Sequence, residues 1–525
     1  MEIKQINLEG ARIVEFEAKF AASIADMWNA SAEGWNGDLW DMTEQKVLNE
    51  ELNADSLVLY LLINDNEKVI GYCKLEEYND KKAVYIPLLN VIPEFWGRKY
   101  GKALLLKTLE TTIKQGYNRL DLHSWSGNTK AVPLYKKTGF RWQTNNSSMY
   151  MMNYLPLLLN LELLQPYLAK LDWYNDFDCD LALEPDGKME NGFELFHYCW
   201  KKDNRYLEAI IDADVKGLCR VKCNDFELNL KAADKKVYYG KREVQLELKN
   251  NLADPLTFKI EMSGEADIQV DEKREITLSG SRTETFWINV KDDFERKGHD
   301  CPAVIANVKI NGKLIPLKLG LTPQAPVHVS LKAEFKRLYR PGMIDLYLQL
   351  KNNFDETVKF STDLADTKYL NFIEKELCSE LRPSETKTIL LKAILFKGCF
   401  YDERIKIVVH REDEEIAFTR RLRVAIPDLN SIIYGSYQEY SILQNGPVFL
   451  KYNHTGKYYA MSLNVLNTDY WLIMKLPQLS KPLDKEFLHA VHDKISFEEL
   501  ADSVVMRVQF RSKKGQLQVS HLFKL

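Results

Sequence analysis

Three cationic side chains, Arg98, Lys99 and Lys102, are interleaved with two glycines in the stretch Trp96-Gly97-Arg98-Lys99-Tyr100-Gly101-Lys102. An apolar run, Val84-Tyr85-Ile86-Pro87-Leu88-Leu89-Asn90-Val91-Ile92-Pro93, precedes them. After them Ala103, Leu104, Leu105, Leu109 and Ile113 recur at helix spacing. A buried strand, a glycine turn and a helix N-terminus together make an anion site. Glycine lets the backbone approach closely, the first helix N–H groups lack partners, and the helix dipole favours negative charge. A pyrophosphate would fit there. Titratable groups follow: Asp121 and His123 alternate along a strand predicted over Leu120 to Trp125, so they share a face. Either could take up a proton, directly or through water.

The stretch Asn128-Thr129-Lys130-Ala131-Val132-Pro133-Leu134-Tyr135-Lys136-Lys137-Thr138-Gly139-Phe140 adds specificity. It closely resembles the N-x-x-A-x-x-L-Y-x-x-x-G-F signature of the GNAT acetyltransferase superfamily. Val91, Pro93, Gly97, Gly101, Leu104 and Leu105 stand in register with the acetyl-CoA signature of the same superfamily, V-x-P-x-x-x-G-x-x-x-G-x-x-L-L. Two residues depart from it: Trp96 stands where glutamine or arginine is expected, and Lys99 at the first glycine of the phosphate loop. A second register, Arg98-x-x-Gly101-x-Ala103, fits the short phosphate pattern but breaks the flanking anchors.

The resemblance covers residues 1–155 and implies acetyl-CoA as co-substrate and an amine as acceptor. It implies a mixed sheet splayed between its fourth and fifth strands. Backbone groups around Asn90 and Val91 would hold the pantetheine arm. The turn of Gly97, Arg98, Lys99, Tyr100, Gly101 and Lys102 would bind the pyrophosphate. Tyr135 falls where the family places a general acid for the departing sulfur, and a phenol with a pKa near 10 can donate to a developing thiolate. Core packing beside Phe140 is the competing reading. Asn128 resembles the family's contact to the cofactor arm, and it could equally cap a helix. Many relatives carry a glutamate base on the fourth strand, but Val84 to Val91 has no acidic residue. Asp121 and His123 are therefore the candidate bases, with Asp38 and Asp41 as rivals.

The elements that must position these groups read in order. Arg12 to Phe16 is a strand, Ala21 to Trp35 a helix, and Gly34 to Asp38 a break. Thr43 caps a second helix. Leu57 to Ile63 and Val69 to Leu75 form a hairpin about Asn64-Asp65-Asn66-Glu67. Trp28, Trp35 and Trp40 could be core or an aromatic wall for a flat acceptor. Leu155 to Leu171 is a leucine-rich helix and linker broken by Pro156 and Pro166. Strands follow over Phe193 to Trp200 and Tyr206 to Ile211.

At 525 residues the chain holds several domains. Its 45% hydrophobic and 28% charged content is that of a globular protein. A net charge of −4 argues against nucleic acid. No apolar run reaches the roughly 18 residues of a membrane span, and the N-terminus lacks the apolar core of a secretion signal. The eight cysteines are scattered without a C-x-x-C pair, as expected of free thiols in a reducing cytoplasm. His489 and His492 lack a third ligand nearby, so no metal is expected.

The second half carries an internal repeat. Leu246-Glu247-Leu248-Lys249-Asn250-Asn251 returns as Leu348-Gln349-Leu350-Lys351-Asn352-Asn353, and Ser281-x-Thr283-x-Thr285 as Ser384-x-Thr386-x-Thr388. Both copies alternate strands and turns at sandwich spacing, so immunoglobulin-like β-sandwiches are expected over 237–325 and 326–427. A linker helix and β segment would occupy 156–236. A β-rich domain would occupy 428–525, with a helix between Asp484 and His492 and 175–236 as a candidate partner. The fold class is thus multidomain, an N-terminal α/β GNAT fold followed by all-β domains. The leading reading is an N-acetyltransferase whose β domains select the acceptor or mediate assembly. The alternatives are a non-catalytic acyl-CoA-binding sensor or scaffold, and a carbohydrate- or protein-binding protein whose sandwiches are the working part. The acceptor and oligomeric state stay open.

Overall fold

The computed structural model describes residues 6–31, 41–52, 54, 56–77, 82–125, 127–144, 149–291, 301–334, 337–411, 414–437, 440–454, 458–465, 468–475, 492–511 and 518–525. Trp35, Asp38, Trp40, His489 and most of the helix expected before His492 lie outside them. His492 itself begins a strand, His492–Glu499.

The first domain opens with β1 (Ala11–Glu15), α1 (Ala21–Asn29) and α2 (Glu44–Glu51). α2 starts where the sequence signals it, because Thr43 in extended backbone accepts from Lys46 N at 3.3 Å. Then come β2 (Ser56–Asn64), β3 (Val69–Glu77), β4 (Ala83–Ile86), β5 (Leu89–Val91) and α3 (Tyr100–Lys114). β6 (Arg119–His123), α4 (Ala131–Lys137), β7 (Phe140–Trp142) and β8 (Tyr150–Asn153) complete it. The sheet order is β1-β2-β3-β4-β6-β8-β7, with β5 paired to β3. Among the described residues only the β4–β6 pair is parallel, so the sheet is mixed. Ile24, Met27, Trp28 and Val47 bury against Leu59, Leu61, Ile63 and Tyr72, which places α1 and α2 on one face. Trp28 is core, its ring edge-on to Tyr72 at 5.8 Å. α3 covers the other face, where a Cβ on Gly71 would lie 3.2 Å from Leu104.

The apolar run expected as one strand is two. β4 pairs with β6 from Ala83–Arg119 to Ile86–Leu122, and β5 pairs only with β3. Pro87 interrupts the run, since it has no N–H to give the ladder. Past it the β5 and β6 edges are unpaired to each other, and this is the splay.

The chain divides into two compact units. One holds Met1–Val237, Lys241–Asn289 and Asp300–Thr322; the other holds Tyr238–Gly240, Val290–His299 and Pro323–Leu525. Within the first unit the polypeptide after Tyr154 packs straight back onto the GNAT-like domain. Lys136 of α4, only 1% exposed, pairs with Asp186 at 3.1 Å and donates to Glu184 O at 2.7 Å. The buried Arg141 guanidinium donates to His197 O at 3.1 Å and lies 4.9 Å from the rings of both Phe177 and Tyr198. Tyr198 in turn donates to Gly139 O at 2.7 Å. Phe177 stacks on Trp200 at 5.2 Å, and the Trp200 indole donates to Trp173 O.

The repeat is structural as well as sequential. In the first unit, strands Phe226–Lys231, Gly240–Asn250, Ser281–Val290 and Ile268–Gln269 follow one another in a sheet that continues into the strands between 177 and 223. A second sheet runs Asp271–Leu278, Leu256–Gly264, Ala303–Ile310, Lys313–Gly320. The second unit repeats both orders with Val327–Lys332, Gly342–Asn352, Thr386–Leu395, Leu370–Phe372 and with Glu376–Leu381, Val358–Asp363, Cys399–Arg411, Glu414–Ile426. Alternate residues along these strands are buried, the pattern of sandwich faces. The strands after the second repeat form two further antiparallel sheets, one over 432–475 and one over 492–524.

Candidate active site

The turn before α3 is built as the spacing predicts, with one expensive residue. Gly97 takes φ +81°, and Lys99 takes φ +65° and ψ +13° immediately before the helix. Left-handed backbone is unfavourable for a lysine, so neighbouring structure must hold it. The Trp96 indole does part of this, donating to Val91 O at 2.7 Å, while Lys130 Nζ sits 3.8 Å from the indole centroid. Tyr100 donates to Glu9 O and stacks on Phe95.

The N–H groups of Tyr100, Gly101 and Lys102 open α3 without intrahelical partners. A Cβ on Gly101 would meet nothing closer than Val91 at 3.9 Å and Leu134 at 4.0 Å. Space is therefore left beside the helix start, between β5 and α4. Arg98 and Lys99 are exposed. Lys102 is half-buried, its Nζ 3.3 Å from the Tyr174 ring centroid, and burial followed by the Lys99 charge lowers its pKa.

The bonds Ile92 N to Ile70 O and Lys74 N to Leu88 O fix which residues of β5 face β3. By alternation the backbone of Asn90 also turns to β3, and that of Leu89 and Val91 turns to the splay. Asn90 contributes differently: it is 7% exposed, and its Nδ2 has no hydrogen-bond partner among the described residues. A buried donor left unpaired is costly unless something enters to meet it. Leu89 carries no chemistry in its side chain, so a backbone role there is not visible from residue type.

Asn128 accepts from Ala131 N at 3.0 Å and so stabilises the turn into α4. Tyr135 on α4 is 8% exposed, packs on Phe140 at 5.9 Å, and its hydroxyl has no hydrogen bond among the described residues. Burial pushes its phenol well above the ordinary value, with Cys73 adding to the effect. It stays a neutral donor throughout the working pH range.

Asp121 and His123 share a face, as alternation requires, but their surroundings differ. Asp121 is fully buried, accepts from Arg119 Nε at 2.8 and 2.9 Å, and accepts from the Tyr150 hydroxyl. Burial raises its pKa, and Arg119 opposes the shift. His123 is exposed at the end of β6. Its Nδ1 lies 2.9 Å from the Tyr85 hydroxyl, and its ring lies 4.7 Å from that of Tyr150. Burial of part of the ring lowers its pKa below 6.5, and Asp121 opposes that. Tyr85 and Tyr150 were not singled out by sequence, because tyrosines on strands usually serve packing. Asp41 lies within 3.3 Å of Lys46 on the exposed surface, and no His, Cys, Asp or Glu cluster fit for a metal occurs among the described residues.

A splayed mixed sheet with a basic helix start beside the splay is the arrangement that the resemblance in the sequence implies. Residues 22–140 match the acetyltransferase (GNAT) family, and the N-terminal part of this chain carries a GNAT domain. Over 116 residues the chain is 23% identical to a mycothiol acetyltransferase of Jonesia denitrificans, a match covering 21% of this chain. The chain spans 37% of that relative's length. Among solved structures it is similar to the PaiA N-acetyltransferase of Thermoplasma acidophilum in complex with coenzyme A. That likeness has 20% identity and a TM-score of 0.24, and covers 27% of this chain and 98% of the other. A GNAT-family acetyltransferase of Streptococcus pneumoniae gives 23% identity and a TM-score of 0.24, covering 27% and 96%.

Proposed function

We propose that the chain is an N-acetyltransferase that moves the acetyl group of acetyl-CoA to an amine. The carrying observation is the splay beside α3, where the Val91 backbone and the open side of Gly101 meet a basic helix start, with the unpaired Asn90 amide on the α1/α2 face of β5, the face that Leu88 and Ile92 share. These residues fit an acyl-CoA. Val91 and Asn90 would hold the arm, and Gly97 to Lys102 the pyrophosphate. Bound acetyl-CoA supplies an activated acetyl thioester. His123 takes a proton from the acceptor nitrogen as the N–C bond forms, and Tyr135 gives a proton to the sulfur as the C–S bond breaks. Asp121, held by Arg119 and Tyr150, braces the face on which His123 sits and is too enclosed to reach an acceptor. Asn128 sets the start of α4, and so the place of Tyr135.

In this reading residues 1–155 are the catalytic domain and 156–236 joins them to the β region. Immunoglobulin-like sandwiches at 237–325 and 326–427 and the β-rich 428–525 select a large acceptor or mediate assembly. The work is cytoplasmic, in keeping with eight cysteines free of disulfides. No helix among the described residues is long and apolar enough to cross a membrane. Thiol release from acetyl-CoA across a panel of small amines, polyamines, amino sugars and peptides tests the proposal. Saturable acetyl-CoA binding without release to any amine would favour the sensor reading, and absence of binding would discard both.

A further inference from the structure

Three tyrosine and histidine rings converge at the open end of β6, and their bonds are unequal. Tyr150 has committed its hydroxyl proton to Asp121, so it offers His123 only a ring face, 4.7 Å away and inclined by 58°. Asp121 has both oxygens engaged, by Arg119 and by Tyr150. Lys216, in the turn before strand Gly217–Cys223, adds positive charge near Asp121. The one hydrogen bond of the His123 ring among the described residues is Nδ1 to the Tyr85 hydroxyl, at 2.9 Å. Tyr85 reaches it from β4, edge-on, with ring centroids 5.6 Å apart. The neighbours β4, β6 and β8 therefore bring Tyr85, Asp121 and Tyr150 near this ring, with Arg119 behind Asp121, and among the described residues only Tyr85 bonds it.

The direction of that bond decides what the imidazole can do. A neutral imidazole has one N–H and one lone pair. If the phenol donated to Nδ1, Nε2 would carry the hydrogen and could not accept a proton. If Nδ1–H donates to the phenol oxygen, the Nε2 lone pair is free, and the same bond strengthens when the ring becomes imidazolium. We propose that Tyr85 is a positioning residue for His123, its oxygen accepting from Nδ1–H so that Nε2 is the proton acceptor of the transfer. The inference rests on the acetyltransferase reading for its purpose. The bond direction can be measured without any reaction.

Nitrogen-15 shifts of the His123 ring in the unmodified protein report the tautomer, and Nδ1–H is the expected result. Titration of the same ring in Tyr85→Phe reports the sign. Losing an acceptor that favours the charged form should move the midpoint to lower pH, by roughly half a pH unit or more. Losing a donor to the neutral form would move it to higher pH. In the turnover assay Tyr85→Phe should lower kcat about 10-fold with KM for acetyl-CoA unchanged, and shift the acid limb of the rate the same way as the titration. An Nε2–H tautomer, or a midpoint that rises in Tyr85→Phe, overturns the inference. If the Nδ1–H tautomer and the downward shift are found but His123→Gln leaves the rate unchanged, the bond is as described. The base assignment behind it is then what fails.

Discussion

Burial raises the pKa of Tyr135 above its ordinary value, so the phenol stays protonated around neutral pH and its contribution there should not vary with pH. Tyr135→Phe keeps the ring against Phe140 and deletes the donor. The turnover number should fall by roughly 10²–10⁴ with acetyl-CoA affinity nearly intact, measured by stopped assay and calorimetry. A rate within about threefold of the parent would leave Tyr135 to the core. The pH dependence should come from His123 instead. Burial lowers its pKa, so the neutral, proton-accepting form dominates at pH 7 and is lost as pH falls. kcat/KM should climb with pH through a midpoint below about 6.5 and then level off. The acid limb should vanish in His123→Gln. At Gly101 the backbone fold tolerates a side chain, since nothing lies closer than 3.9 Å to its Cβ position. Gly101→Val should therefore fold normally and lose acetyl-CoA binding, because the branched side chain fills the approach to the helix start. Calorimetry on the folded variant decides it. Residue placement was readable in sequence where type and spacing coincide, as at the turn of Gly97 and Lys99. It was unreadable where a common residue acts through its neighbours, as at Tyr85.

At the scale of elements, two glycine- and asparagine-dependent corners hold the parts in register. Gly139 ends α4 at φ +100°, and a Cβ there would lie 2.6 Å from Leu155 and 2.9 Å from Asn153. Gly139→Ala should cost about 3 kcal/mol or more, read from urea denaturation, since strain and overpacking add. The repeated Lys-Asn-Asn motif has the same use in both copies. Asn250 Nδ2 donates to Asp254 O and Leu278 O, and Asn352 Nδ2 donates to Glu356 O and Leu381 O with Arg382 O added. Each side-chain oxygen accepts from the N–H two residues on, Leu252 or Phe354. The next asparagines also correspond, Asn251 donating to Cys223 O and Asn353 to Ala325 O. The motif was visible as a repeat because a buried corner permits few substitutes. Its role was not, because three of the carbonyls it serves, of Leu278, Leu381 and Arg382, lie 28, 29 and 30 residues away in sequence. The same limit hid the break at Pro87. Periodicity shows an apolar run, and only pairing shows that its two halves have different partners.

For the whole molecule, the family resemblance ends near residue 155, and a chain ending at Tyr154 would keep every residue of the proposed site. The packing argues that it would not behave. Lys136 and Arg141 are 1% and 3% exposed, and their partners Asp186, Glu184 and His197 all lie beyond the cut. Removing one side of a buried charge pair leaves the other unpaired in a poor solvent for it, at about 3–5 kcal/mol. Lys102 at the phosphate turn would also lose Tyr174, the ring that holds its amine. The point mutant isolates the largest of these terms. Asp186→Ala in the full chain should lower stability by about 3–5 kcal/mol in the unit that holds it, with the second unit unaffected. A chain ending at Tyr154 should aggregate or fail to bind acetyl-CoA. One ending at Thr322, where the first compact unit closes, should fold and bind it as the full chain does. Differential scanning calorimetry and acetyl-CoA titration on the three proteins give the answer. A soluble, binding-competent chain ending at Tyr154 would mean that the strands after it clasp the catalytic domain without supporting it.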